Sequence, residues 1–200
     1  MTEKIHGNPG NPYDKFRSKN PILRKIMKKF KRDLLTAIRI ANPKNIFDIG
    51  CGDGHVTKFI KDNTDVSIVG ADLSPEIIRV AKNDYPDINF YIRSIFDTKE
   101  KTKSYDLVIA SEILEHLKEP EKALKEMKRI SKRYCLITVP NEPYFTLANI
   151  SQLKHLKHFG LNPDHLQFWT KRSLHRMLNK HFKSVRIRTC FFWNIALCKK

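Results

Sequence analysis

Short apolar runs alternate with amphipathic stretches along most of this chain. The runs predict β-strands near residues 45–49, 66–71, 88–93, 105–110 and 134–139. The stretches between them have the period of a helix and predict α-helices near residues 54–63, 75–83 and 120–131. Because strands that alternate with helices form a parallel sheet covered by helices on both faces, the pattern predicts the α/β fold class.

A basic amphipathic helix is predicted before the first strand, over residues 20–41. Apolar residues recur every fourth position from Ile22 to Ile38, and lysine and arginine lie mostly on the other faces. Two interpretations are open at this point: the helix packs its apolar stripe on the sheet, or it binds an anionic membrane surface or another polyanion. Residues 1–18 are rich in glycine, asparagine and proline and are expected to be a flexible N-terminus.

The pattern changes after Pro140. Residues 141–170 are an insertion with a mixed stretch that predicts a helix over part of 144–158, and a further helix is predicted from Thr170 to His181. Two last strands are predicted at 185–190 and 192–198. Their link is so short that they must be antiparallel.

The composition is that of one globular domain. The chain has 200 residues, of which 40% are hydrophobic. No apolar run approaches the roughly 18 residues of a membrane span, and the N-terminus has no apolar signal-peptide segment. The four cysteines are scattered without a C-x-x-C pair, which argues against a zinc knuckle or a disulfide scaffold. We therefore expect a cytoplasmic protein.

The net charge is strongly positive, at +17. Such a surplus favours polyanionic partners, which are RNA, DNA or anionic lipid head groups. The alternative is a lysine-rich composition that solvates helix faces. The lysines are spread along the chain and no RNA-reading module is recognisable, so the compositional interpretation is favoured.

A glycine-rich loop follows the first predicted strand. Asp48 ends the strand, and Gly50, Gly52 and Gly54 follow before a predicted helix, an arrangement that presents backbone N–H groups to a nucleotide-like ligand. The spacing is GxGxG, and Asp48 would repel a diphosphate but could hold an ammonium group. The loop therefore predicts an adenosine-like ligand with a positively charged end and no phosphate.

A second carboxylate lies at the end of the next predicted strand. Asp72 follows the glycine loop by about 20 residues, at the place where an acidic residue accepts the hydroxyl groups of a ribose. This position supports the adenosine-like ligand.

These segments resemble a known family. The motifs FDIGCGDG, GADLSPEII, SYDLVIASEILEHLKEPEKAL and YCLITVPNEP, between Lys44 and Pro143, resemble in order and spacing those of class I S-adenosylmethionine-dependent methyltransferases. The resemblance implies a three-layer, doubly wound, Rossmann-like fold. Its mostly parallel sheet has seven strands, and the antiparallel last strand lies beside the sixth. The resemblance also favours packing of the basic helix on the sheet.

The resemblance implies a set of cofactor contacts for S-adenosylmethionine (SAM). The three loop glycines would approach its methionine part, with Cys51 as a small filler, and Ser111 would face the methionine or sulfonium region. Asp48 would orient the amino group and Asp72 would hold the ribose. The adenine would meet Leu73, the Ser94 hydroxyl and the Ile95 backbone. Serine at position 94 departs from the aspartate of many relatives, and Asp97 is a nearby substitute.

Two histidines are candidates for a catalytic role. His165 lies in the segment that in relatives covers the acceptor, and it is interpreted as a general base or as a residue that positions the acceptor; the alternative is a hydrogen-bonded loop histidine. His116 is either a base or a support for loop structure. His155 and His158 are spaced for a metal but have no evident carboxylate partner, so no metal site is expected.

The function predicted from the sequence is methyl transfer to a small-molecule or lipid-type acceptor. The basic helix and residues 141–170 would form the acceptor pocket. One alternative is an RNA methyltransferase. This interpretation rests on the net charge alone, and the sequence lacks the Asn/Asp-Pro-Pro-Tyr/Phe motif of many base-amine methylases. Another is a cofactor-binding module that has lost catalysis. The acceptor atom and the oligomeric state are left open.

Overall fold

A computed structural model describes residues 20–151, 158 and 161–200 of the chain. The expected flexible segment 1–18 and His155 lie outside the described residues. The described helices are α1 (Pro21–Ala41), α2 (His55–Asp62), α3 (Pro75–Asp84), α4 (Pro120–Ile130), α5 (Tyr144–Ser151) and α6 (Lys171–Asn179), with a short 3-10 helix at Leu114–His116. The strands are β1 (Asn45–Ile49), β2 (Ser67–Asp72), β3 (Asn89–Ile92), β4 (Tyr105–Ser111), β5 (Ser131–Pro140), β6 (Ser184–Cys190) and β7 (Trp193–Lys199).

The described strands form one seven-stranded sheet in the order β3-β2-β1-β4-β5-β7-β6. The first five strands are parallel, and β7 is antiparallel to both of its neighbours. The predicted fold class is therefore confirmed. The topology also shows where the reversed strand lies: β7 is inserted between β5 and β6, so Ala196 pairs with Ile137 on one side and Ile187 on the other.

Helices cover both faces of the sheet, as the alternation of side chains along buried strands requires. On one face, Phe47, Val108 and Ile137 pack against α4 and α6. On the other face, the adjacent residues Ile46 and Leu107 pack against α1. The central strands are thus apolar on both faces, which is why they read as continuous apolar runs in the sequence.

The basic helix α1 packs on the sheet by its apolar stripe. Phe30, Leu34 and Ile38 are buried there, whereas Ile22 in the first turn is 71% exposed. Asp33, which is also buried, forms ion pairs with Lys29 and, at 3.4 Å, with Arg188 of β6. The packing interpretation of this helix is therefore supported by the structure, and the helix is tied to the edge strand as well.

None of the helices in the described part of the chain is long and apolar enough to cross a membrane.

The carboxyl ends of the parallel strands share one edge of the sheet, and in doubly wound folds this edge is where ligands bind. Asp48 in β1, Asp72 at the end of β2 and Ser111 at the end of β4 lie toward this edge. The sequence-predicted cofactor residues therefore converge.

Candidate active site

The glycine loop between β1 and α2 has a backbone conformation that residues other than glycine rarely adopt. Gly50 and Gly52 have φ angles of 74° and 55°, in the left-handed region. A Cβ atom at Gly50 would lie 2.1 Å from Cδ1 of Ile113, so any larger residue would collide with the segment after β4. A Cβ atom at Gly52 would meet nothing within 4 Å, so the loop backbone faces open space at this position.

Asp72 holds the loop from the neighbouring strand. Its Oδ2 accepts a hydrogen bond from the Gly52 N–H at 3.1 Å, and its Oδ1 accepts one from the Ser74 N–H at 3.0 Å. A carboxylate has about four acceptor sites, so two remain for the hydroxyl groups of a ribose. Ser74 itself caps α3 by accepting from the Ile77 N–H at 3.3 Å. Asp72 thus stabilises the turn after β2 and the glycine loop, and its role in binding a ribose stays a prediction.

Asp48 is a buried carboxyl beneath the same loop. The Thr57 hydroxyl donates a hydrogen bond to its Oδ2 at 2.7 Å, whereas its Oδ1 has no hydrogen-bond partner among the described residues. Burial raises the pKa of Asp48 to about 6; the hydrogen bond from Thr57 opposes the rise, and the negative charge of Asp72 adds to it. A cationic group bound above the loop would offset this burial, so Asp48 suits an ammonium group and not a phosphate.

The raised pKa of Asp48 gives a testable pH dependence. Because the pKa is raised on folding from its usual 3.8, the free protein loses stability as pH rises from about 4 to about 6, by roughly 3 kcal/mol. A ligand ammonium favours the ionised form. We therefore expect affinity for S-adenosylhomocysteine (SAH) to rise about tenfold between pH 5 and pH 7. Calorimetry on the wild type and on Asp48→Asn checks this; an equal pH dependence in both would contradict it.

Cys51 is a buried thiol inside the loop. Burial and the negative charges of Asp48 and Asp72 raise the pKa of Cys51 well above its usual value. The thiol is therefore protonated at neutral pH, which agrees with its predicted role as a filler. The other three cysteines, Cys135, Cys190 and Cys198, are also buried and free.

The predicted adenine contacts lie beyond the ends of β2 and β3. Leu73, after β2, is 38% exposed although it is apolar. Ser94 Oγ accepts from the Phe96 N–H at 3.2 Å. Ile95 is 3% exposed, so its side chain belongs to the core and only its backbone could meet a ligand. Asp97 is exposed and paired with Lys99. The adenine roles of these residues stay predictions.

The end of β4 carries two polar side chains toward β5. The Ser111 and Thr138 hydroxyls are 2.9 Å apart. Glu112 has a left-handed φ of 59°, which is unusual outside glycine, and accepts a hydrogen bond from Trp193 Nε1 at 2.6 Å. The sequence analysis assigned no role to Glu112 or to Thr57, the hydrogen-bond donor to Asp48. A threonine on the buried side of α2, close to the glycine loop, is the signal that could have found Thr57.

The structure brings the two candidate histidines together, although 49 positions separate them in the sequence. Their ring centroids are 5.0 Å apart. His165 is 8% exposed and stacks on Phe145, with centroids 5.5 Å apart. The backbone carbonyl of Glu115 accepts from the N–H groups of Leu166 and Gln167 at 2.7 and 3.0 Å, which ties the two segments together. His158 is exposed.

Comparison with known proteins decides the family. A family model of methyltransferase domains matches residues 21–181. The chain belongs to this methyltransferase domain family. It is 30% identical to protein 235L of Invertebrate iridescent virus 6 over 137 residues, which are 66% of this chain and 51% of that protein. It is 27% identical to ajmaline N-methyltransferase of Rauvolfia serpentina over 116 residues, 55% of this chain and 40% of that enzyme. The chain thus spans about half or less of these relatives.

A solved structure supports the fold. Magnesium protoporphyrin IX methyltransferase from Synechocystis PCC 6803, crystallised with bound SAH, superposes with a TM-score of 0.66 at 15% identity, covering 94% of each chain. This chain is therefore a class I methyltransferase domain, and SAM is its cofactor. The residues fit this cofactor: Asp48 offers a buried carboxylate for the ammonium group, Asp72 retains acceptor sites for the ribose, and Gly52 leaves space above the loop.

Proposed function

We propose that this domain transfers the methyl group of SAM to a small-molecule or lipid-type acceptor. The observation that carries this proposal is an apolar surface next to His165. Tyr144 and Leu147 of α5 are 59% and 56% exposed, and Leu166 and Phe168, on either side of Gln167, are 49% and 43% exposed. Because exposed clusters of apolar side chains mark binding surfaces, these residues suit an acceptor with an apolar body.

The names of similar proteins support an acceptor of this class. One relative is an ajmaline N-methyltransferase and one structural neighbour is a magnesium protoporphyrin IX methyltransferase. Both names specify a small organic molecule. Neither name identifies the acceptor of this chain.

The roles proposed for the residues follow from the chemistry. SAM supplies an activated methyl group, so the protein mainly holds donor and acceptor in line and excludes water. Asp48, Asp72 and the glycine loop would bind the cofactor. His165, stacked on Phe145, would position the acceptor or accept its proton. His116 is the second base candidate.

Methylation of RNA is the alternative. It is favoured by the charge of +17 and by the exposed Arg186 and Arg188, which lie on one side of the edge strand β6. A cofactor-binding module that has lost catalysis is the other alternative.

The proposed location is the cytoplasm, because buried free cysteines suit a reducing compartment.

Two measurements test the proposed function. We expect the purified protein to bind SAM and SAH in calorimetry and not to bind NAD, because Asp48 would repel a diphosphate. We then expect labelled methyl groups from SAM to appear in the lipid or metabolite fraction of a cell extract. Label in the RNA fraction alone, with salt-dependent RNA binding, would favour the RNA alternative. Cofactor binding without transfer to any fraction would favour the inactive module.

A further inference from the structure

Three side chains with metal-binding groups converge beside the cofactor loop. One ligand atom from each of Glu115, His116 and His165 lies within 4.8 Å of the other two. Glu115 and His165 are 1% and 8% exposed. The segment that carries Glu115 and His116 packs on the glycine loop, since Ile113 fills the space next to Gly50.

The orientation of His116 is a second, independent observation. Its Nδ1 lies 2.9 Å from the carbonyl oxygen of Asp164. A carbonyl can only accept, so Nδ1 carries a proton, and in the neutral imidazole Nε2 then has the lone pair. Metal-bound histidines characteristically donate their other N–H to a backbone carbonyl or a carboxylate in this way. The same hydrogen bond places His116 against the residue that precedes His165.

The two segments are held together by backbone contacts as well as by the side chains. The Glu115 carbonyl accepts two N–H groups, from Leu166 and Gln167, immediately after His165. His165 donates its own N–H to the Asn162 carbonyl at 3.0 Å. The triad therefore belongs to a tied pair of segments, as a site that must hold several ligands in place requires.

We propose that Glu115, His116 and His165 bind one divalent first-row transition ion, such as Zn²⁺, Mn²⁺, Fe²⁺ or Co²⁺. Two imidazoles with one carboxylate favour these ions over Mg²⁺ and Ca²⁺, which prefer oxygen ligands. Tetrahedral ligands at about 2.0–2.2 Å from an ion lie roughly 3.4 Å from one another, so modest side-chain rotations close the triad.

Three protein ligands leave coordination positions open, as catalytic metal sites do. On the acceptor side of the cofactor loop, such a position would take an oxygen atom of the acceptor. This second step rests on the proposed function; the metal site itself does not. Glu112 lies outside this group of three side chains, and its carboxylate accepts a hydrogen bond from Trp193 Nε1.

Co²⁺ is a suitable probe because its visible absorption reports its ligands. After removal of metals with a chelator, we expect the full chain to bind about one Co²⁺, with calorimetry giving the affinity and Zn²⁺ displacing it. His116→Ala, His165→Ala and Glu115→Gln should each weaken binding about 100-fold or more. His175→Ala and Glu119→Gln, at exposed positions on α6 and just before α4, are the matched controls and should bind as the wild type does.

SAH binding is measured on every variant, which separates a lost metal site from a lost fold. His116 is partly exposed, so its variant decides the question if Glu115→Gln does not fold. No Co²⁺ binding at millimolar concentration, or equal binding by site and control variants, would overturn the metal site. If the metal binds but does not change the KM of the acceptor, only the proposal that the metal coordinates the acceptor would be overturned. Failure of SAH binding in the wild type would instead refute the proposed function.

Discussion

Asp72→Ala should weaken SAH binding at least 100-fold. Two charge-assisted hydrogen bonds to the ribose hydroxyls contribute about 1.5–3 kcal/mol each, and about 3 kcal/mol already corresponds to more than 100-fold in affinity. The variant also loses the hydrogen bonds that Asp72 accepts from Gly52 and Ser74, so the loop loses a tether. Calorimetry gives the affinity, and thermal unfolding without ligand measures the structural part.

Two further variants separate charge from position. Asp72→Asn keeps one oxygen acceptor and should lose less affinity than Asp72→Ala. Asp53→Ala lies in the same loop, where the Asp53 carboxylate is about half exposed, and should bind SAH nearly as the wild type does. A dissociation constant for Asp72→Ala equal to that of Asp53→Ala would remove Asp72 from the cofactor site.

If His165 is a general base, His165→Ala should lower turnover about 100-fold or more and leave SAH affinity unchanged. His165 lies across from His116 in the segment next to the apolar surface. A residue that deprotonates the acceptor contributes about 10²–10⁴-fold to the rate, whereas one that only positions the acceptor acts mainly on its KM. Steady-state kinetics with SAM and the acceptor found in the extract screen measures both.

The pH profile distinguishes the two roles of His165. A histidine base gives the wild type a rate limb on the acidic side of the pH profile, where the imidazole becomes protonated, and His165→Ala should lack this limb. If His165 binds a metal instead, its variant should resemble the wild type treated with a chelator. His165→Asn keeps a polar side chain at this buried position without a titratable group, although it loses the stacking on Phe145. Wild-type kinetics in both variants would place the acceptor site elsewhere.

The bounds of most strands and helices were predictable because the side chains that they bury are apolar and follow a regular pattern in the sequence. Central parallel strands are covered on both sides, so they appear as apolar runs, and β1 was predicted with the bounds it has in the structure. β5 was predicted four residues too short, three at its start and one at its end. Its first three residues are polar: Ser131 is buried and pairs with Tyr105 at the start of β4, whereas Lys132 and Arg133 are exposed. Hydrogen-bonded pairing with a neighbouring strand can extend a strand beyond the apolar run that predicts it.

The cofactor side of the site could also be inferred from local sequence. A glycine loop must lie between one strand and the next helix, so Asp48, Gly50 and Gly52 are neighbours in the chain. Asp72 lies at the end of the adjacent strand, which fixes its distance from the loop through the sheet register. The charge and spacing of these residues therefore determined the class of ligand.

Other features were decided only by tertiary structure. The sequence shows that β6 and β7 are antiparallel, but long-range pairing places β7 between β5 and β6. Burial, and not the identity of the residue, raises the pKa of Asp48. Glu115 and His116 meet His165 only because the segment after β4 and the segment before α6 are joined by backbone hydrogen bonds. Contacts between residues far apart in the chain depend on how loops close over the sheet. The hydrophobic periodicity of a segment does not predict that closure.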